Sequence, residues 1–191
     1  MRDDDKTRPP ATALRDGSAA AIFAQIPELS SLMQHEARPD EGALDFLGRL
    51  RSSTTPEEAV TFTAFAALPQ MGVWWGYESL RSLAGAIPAR DHPLMETIAT
   101  WIAAPTDDLR HRIMREALYA PARSPAVLLG LTVGWSGGSI APNDTAPVPR
   151  HRGPRALNTA ILSGLARMPT GERSVRLARV IALAETMYRG A

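Results

Sequence analysis

Apolar positions recur at helical spacing along most of the chain. Leu94, Ile98, Trp101 and Ile102 fall at i, i+4, i+7 and i+8, and Leu109, Ile113 and Ala117 repeat every fourth residue. That period gives each segment one apolar stripe, as expected of a helix that buries a single face. Thr106 supplies a side-chain acceptor ahead of the second segment, and Asp107 and Asp108 place negative charge in its first turn. The two segments therefore read as an antiparallel hairpin around Pro105.

The same reading extends in both directions. Ser18 caps a short helix carrying Ile22, Phe23 and Ile26 that stops at Pro27, and a second short piece runs over 28–34. Asp40 is placed to cap a helix with Leu44, Leu47 and Leu50. In Thr55-Pro56-Glu57-Glu58 the threonine, the proline at the first helical position and Glu58 predict a capping box. Val60 to Thr63 alternates like a strand, but this cap and the run Ala64 to Leu68 favour a helix ending at Pro69. The next helix carries Trp74, Trp75, Leu80 and Leu83. Ser124-Pro125 opens another, over the apolar run Ala126 to Trp135, which breaks at Ser136-Gly137-Gly138-Ser139. A long loop rich in glycine and proline follows to Gly153. Two single-stripe helices close the sequence, one with Leu157, Ile161, Leu165 and Met168, the other with Leu177, Val180, Ile181, Ala184 and Met187.

These elements predict an all-α fold, a compact orthogonal or solenoid-like bundle of about eight to nine helices. Residues 1–17 have no apolar period and read as a disordered N-terminal tail; 18–191 reads as one domain. At 191 residues such a domain buries roughly 70% of the surface its unfolded chain exposes, enough for a self-sufficient core. The chain contains no cysteine, which excludes disulfides, thiolate zinc sites and a cysteine nucleophile. No run of about 18 apolar residues is present, and the acidic start lacks the sign of a secretory leader, so the expected location is the cytoplasm, away from the membrane.

Charge changes the picture only at the C-terminal end. The net charge is +1, yet residues 150–191 hold eight basic and two acidic residues. Arg173, Arg176 and Arg179 recur every third residue and can follow phosphates, which makes nucleic-acid binding a third-ranked reading behind a solvated helix face.

The candidate chemistry is sparse. Gly134-Trp135-Ser136-Gly137-Gly138 has the G-x-S-x-G spacing of a hydrolase elbow, but that motif needs a strand before the serine and a helix after it, and here a helix precedes and a loop follows. The same loop can offer backbone N–H groups to an anion, helped by Arg150, Arg152 and Arg155. His35, His92, His111 and His151 are scattered without metal-ligand spacing, so no metal and no cofactor is assigned. Trp74 and Trp75 point about 100° apart on a helix, so one enters the core and the other is free to meet a partner, with Glu78 and Arg81 at its edge.

Two segments carry a family resemblance: Leu68-Pro69 with Val73-Trp74-Trp75 and Arg81, and Trp135-Ser136-Gly137-Gly138-Ser139-Ile140-Ala141 with Pro147 and Pro149. Together they resemble an uncharacterised family of proteobacterial helical proteins, some encoded near type VI secretion genes. Its members often carry cysteine after the paired tryptophans; this chain has Gly76-Tyr77-Glu78, so no thiol chemistry carries over. The resemblance implies a cytoplasmic accessory of a secretion locus. The leading expectation is a non-catalytic interaction module, an adaptor, chaperone or immunity-like protein whose partner is a secretion-system component or effector, bound through Trp74, Trp75, Glu78, Arg81 and Trp135 to Ser139. The alternative is a small-ligand binder or hydrolase using the loop from Ser136 to Arg152.

Overall fold

A computed structural model describes residues 13–83, 85–141 and 143–190. The remaining positions, which include residues 1–12 of the predicted tail, lie outside the described residues. Among the described residues nine α-helices are formed: α1 (Ala19–Gln25), α2 (Ala43–Arg51), α3 (Glu57–Ala66), α4 (Pro69–Ser82), α5 (His92–Ala103), α6 (Asp107–Leu118), α7 (Pro125–Gly134), α8 (Arg152–Ala166) and α9 (Arg173–Arg189). Short 3₁₀ turns cover Pro27–Leu32, Ala89–Asp91 and Thr170–Glu172. The described residues contain no strand, only isolated bridges joining Leu14 to Ala67, Ser18 to Gly42 and Ser139 to Pro147. None of these helices is long and apolar enough to cross a membrane.

Three of the expected caps form. Ser18 Oγ accepts the Ala21 N–H, Thr106 Oγ1 accepts that of Leu109, and Ser124 Oγ accepts that of Val127 at 3.1 Å. Each satisfies an amide that the first helical turn leaves without a partner. The capping box at Thr55 does not form. The Thr55 hydroxyl donates to Glu58 Oε1 at 3.3 Å instead of accepting a helix amide, and the Glu58 carboxylate accepts the N–H groups of Gln34 and His35 at 2.9 and 3.1 Å and meets His35 Nδ1 at 2.9 Å. Burial alone would raise the Glu58 pKa, but these amides and His35 hold it below its usual value. Asp40 does not cap α2 either. Gly42 occupies that position, because the chain there pairs with the start of α1, Ala43 N–H bonding Gly17 O and Ala19 N–H bonding Glu41 O.

α3 and α7 form the middle of the bundle. Every residue of α3 from Glu58 to Ala66 is buried, and so is α7 apart from Leu128. A helix that is apolar on all sides belongs inside, which is why neither segment shows a stripe. α8 packs on α3, α4 and α7, and α9 lies over α2, α3 and α4. Phe23, Phe46 and Phe62 fill the space between α1, α2 and α3, with Phe46 and Phe62 edge to face at 4.8 Å. At Gly76 a Cβ would sit 2.5 Å from Leu157 Cδ1 and 2.8 Å from Leu129 Cδ1, so a larger residue there would force both leucines to move. α9 is tied inward by two buried bonds: Trp75 Nε1 donates to Val180 O at 3.1 Å and the Tyr188 hydroxyl donates to Thr63 O at 3.0 Å.

One ion pair makes a pH prediction. Arg49 donates through Nε and Nη2 to both oxygens of Glu41, at 2.8 and 2.7 Å, and stacks its guanidinium over Phe46. The hydrogen bonds from Arg49 hold the Glu41 carboxyl down at about 2, against an ordinary 4.5. Because the folded value lies below the unfolded one, the stabilisation is complete above about pH 4.5 and is lost as pH falls toward 2. Allowing for solvent screening, about 1 kcal/mol is expected. In acid-side denaturation curves the advantage of wild type over Glu41→Gln should shrink across this window; a pH-independent difference would exclude the linkage.

Candidate anion-binding cleft

The segment after α7 is not an irregular loop. Its backbone folds back on itself: Val148 N–H donates to Gly138 O at 3.3 Å and Ile140 N–H to Ala146 O at 3.0 Å, with Asp144 Oδ1 accepting the Ala146 N–H at the tip. Trp135 Nε1 donates to Ile140 O, and Ser139 Oγ to Ala141 O. From α6, Arg110 reaches beneath this hairpin and donates Nη1 to Gly134 O at 3.0 Å and to Gly137 O at 2.9 Å. Gly138 crosses directly over that guanidinium with φ +67°, where a side chain would be both strained and in collision with Arg110.

The hairpin walls a cavity of about 190 Å³. Its floor comes from the end of α3 and the start of α4, through Ala64, Ala67, Leu68, Pro69 and Gly72; its far side is the first turns of α8, with Pro154 and Leu157. Trp135, Ser136, Gly137 and Gly138 line the near side. Two cations face it, Arg15 and Arg150. Arg15 arrives because residues 13–15 pair with the α3–α4 junction: Arg15 N–H bonds Ala66 O and Leu68 N–H bonds Ala13 O, both at 2.8 Å. The predicted tail is therefore pinned to the domain from Ala13 onward, where the backbone groups of the junction need partners.

Neither arginine has an acidic partner among the described residues, and Arg15 Nε is buried without any acceptor. Burial, and then the like charge of Arg150, lower the Arg15 pKa. Arg15 keeps an unmet donor and feels the like charge of the exposed Arg150, and an anion between the two guanidinium groups removes both the repulsion and the unmet donor.

The other expected residues are dispersed. Trp75 is fully buried, with its indole N–H committed to Val180 O, which removes it from any docking face. Trp74 is half-buried against the core, and Glu78 pairs with Arg81 at 3.0 Å on the outer turn of α4. Of the three arginines expected to bind an anion, only Arg150 lines the cavity: Arg152 stacks on the Trp135 ring at 5.1 Å, and Arg155 is exposed on α8. Ser139 is spent on its own loop. On α9, Arg173 caps the carbonyls of Met168 and Ala166, while Arg176 binds Glu172 and Ser82 O, so two of the three arginines of the basic stripe serve the fold.

Ser136 is not set up as a nucleophile. Its hydroxyl donates to Val133 O at 2.7 Å, while the nearest histidine in sequence, His151, pairs with Glu28 at 2.9 Å. Among the described residues no three His, Asp or Glu side chains converge as a metal site would require. Sequence reasoning missed Arg15. The one signal available was the small apolar pair Ala13-Leu14 just before it.

A protein-family model described as a family of unknown function, DUF6931, matches residues 46–188. The hairpin and Arg150 lie within that span and Arg15 lies ahead of it. No curated protein and no solved structure matches the chain.

Proposed function

For this chain, which belongs to the DUF6931 family of unknown function, we propose a non-catalytic binding role in which the cleft beside the 136–150 hairpin receives an anionic group. The observation that carries this reading is the pair Arg15 and Arg150, both without an acidic partner and both facing one small apolar-walled cavity, with a buried donor at Arg15 Nε. Charge-assisted bonds from a guanidinium are the strong kind, and the burial of Arg15 strengthens those it makes. The committed Ser136 hydroxyl supports recognition over hydrolysis. We further propose, from the resemblance of the Trp74-Trp75 and Trp135 to Ala141 segments, that this recognition serves a cytoplasmic accessory of a type VI secretion locus in a proteobacterium.

The test is thermal unfolding in a panel of small carboxylates, inorganic phosphate and nucleotides at constant ionic strength. A ligand present at 100 times its Kd stabilises by about 2.7 kcal/mol, so at least one class should raise the wild-type Tm by several degrees. Arg150→Met, a change at an exposed side chain, should abolish that rise. A panel that moves nothing would end the proposal.

Docking of a protein partner is the second reading, favoured by Trp74, which is half-buried and lies one helical turn from Glu78 on the same face of α4. A folded Trp74→Ala variant that retains every partner captured by wild type would remove it.

A further inference from the structure

The cleft does not end at its hairpin. Past Leu68, Pro69 and Ser136 an open groove of about 330 Å³ continues along Met71 to Trp101 and Pro105. Its surface is mostly apolar, and the side-chain amide of Gln70 in it donates to Ile102 O at 3.1 Å. A charged head position thus opens onto a track that carries no charged side chain.

Size and shape narrow the occupant. A cavity of about 150 Å³ holds a benzene ring, so the 190 Å³ beside the arginines accepts a small charged head with a few carbons, the rest of the ligand following the groove. The two guanidinium groups suit a planar carboxylate, which accepts paired N–H bonds. A phosphate carries more charge and more water, and the walls formed by Ala64, Ala67, Leu68 and Leu157 could replace neither.

Resting on the anion-cleft reading above, we propose that the ligand is an aliphatic monocarboxylic acid of about six to ten carbons, its carboxylate between Arg15 and Arg150 and its tail laid over Leu68 and Pro69 toward Trp101. Burial of the tail supplies affinity in proportion to its length, while the arginines fix which end enters.

Intrinsic tryptophan fluorescence, to which Trp135 in the cavity and Trp101 in the groove contribute, reports binding. The full chain is titrated at constant ionic strength with butanoate, hexanoate, octanoate, inorganic phosphate, and a tetrapeptide Ala-Ala-Ala-Leu with a free C-terminus. The Kd is expected to fall roughly fourfold per added methylene from butanoate to octanoate. Arg150→Met should weaken octanoate by about tenfold or more, and Arg15→Met, if folded, likewise. Affinity independent of chain length, or phosphate or the peptide binding more tightly than octanoate, would overturn the monocarboxylate assignment and leave an anion cleft standing. Binding of no probe at all, or octanoate binding unchanged in Arg150→Met, would overturn both.

Discussion

Arg110→Met is expected to destabilise the protein by about 3 kcal/mol and to release the 136–150 hairpin, a cost in the range for removing one partner of a buried charged network. The Arg110 side chain is 6% exposed, whereas its ion partner Asp107 is 83% exposed, so the pair itself contributes little. The loss comes from the carbonyls of Gly134 and Gly137, which end α7 and start the hairpin and would be left without their donor. Arg110→Lys should recover only part of it, since one ammonium cannot reproduce the fork that reaches both oxygens and Asp107. Urea denaturation gives the free energy, and amide exchange at Ile140 and Val148 reports the hairpin. A loss under 1 kcal/mol with those amides still protected would show that the hairpin stands without Arg110. Anion binding should weaken in parallel, because the wall of the cleft moves.

Trp75→Ala should cost more, about 3–5 kcal/mol, by opening a cavity between α4 and α9 and leaving Val180 O without its donor. Trp75→Phe keeps most of the volume and loses the hydrogen bond, so about 1–2 kcal/mol is expected there. Trp74→Ala, at a half-buried position, should cost the least of the three. Denaturant midpoints with unchanged m-values would order them; a Trp75→Ala loss below that of Trp74→Ala would mean the two rings have been assigned to the wrong environments.

These two sites mark where the sequence could and could not be read. Ser18, Thr106 and Ser124 were identifiable as caps because a cap acts on an amide three residues away. The stripes of α5 and α6 were equally plain, since each buries one face. α3 and α7 gave weaker signals because a helix buried on every side loses its period, and the role of Glu58 was misread because its carboxylate serves a loop twenty-three residues upstream. The cleft was half visible. Trp135, Ser136, Gly137, Gly138 and Arg150 lie in one short stretch, but Arg15 reaches them only through pairing of its backbone with the α3–α4 junction. The order of the hairpin likewise depends on an arginine from a different helix. Contacts of that range leave no local trace in composition or spacing.

The two buried bonds to α9 bear on how the molecule is made. Trp75 Nε1 and Thr63 O both belong to the first half of the chain, and their partners are Val180 and Tyr188. As the chain emerges from the ribosome, α3 and α4 appear early with a polar group each and an apolar flank that nothing yet covers. They stay so until synthesis has passed Tyr188. Completion of the core is then a late event governed by the arrival of the last helix, and the nascent chain must remain soluble with that flank open in the meantime.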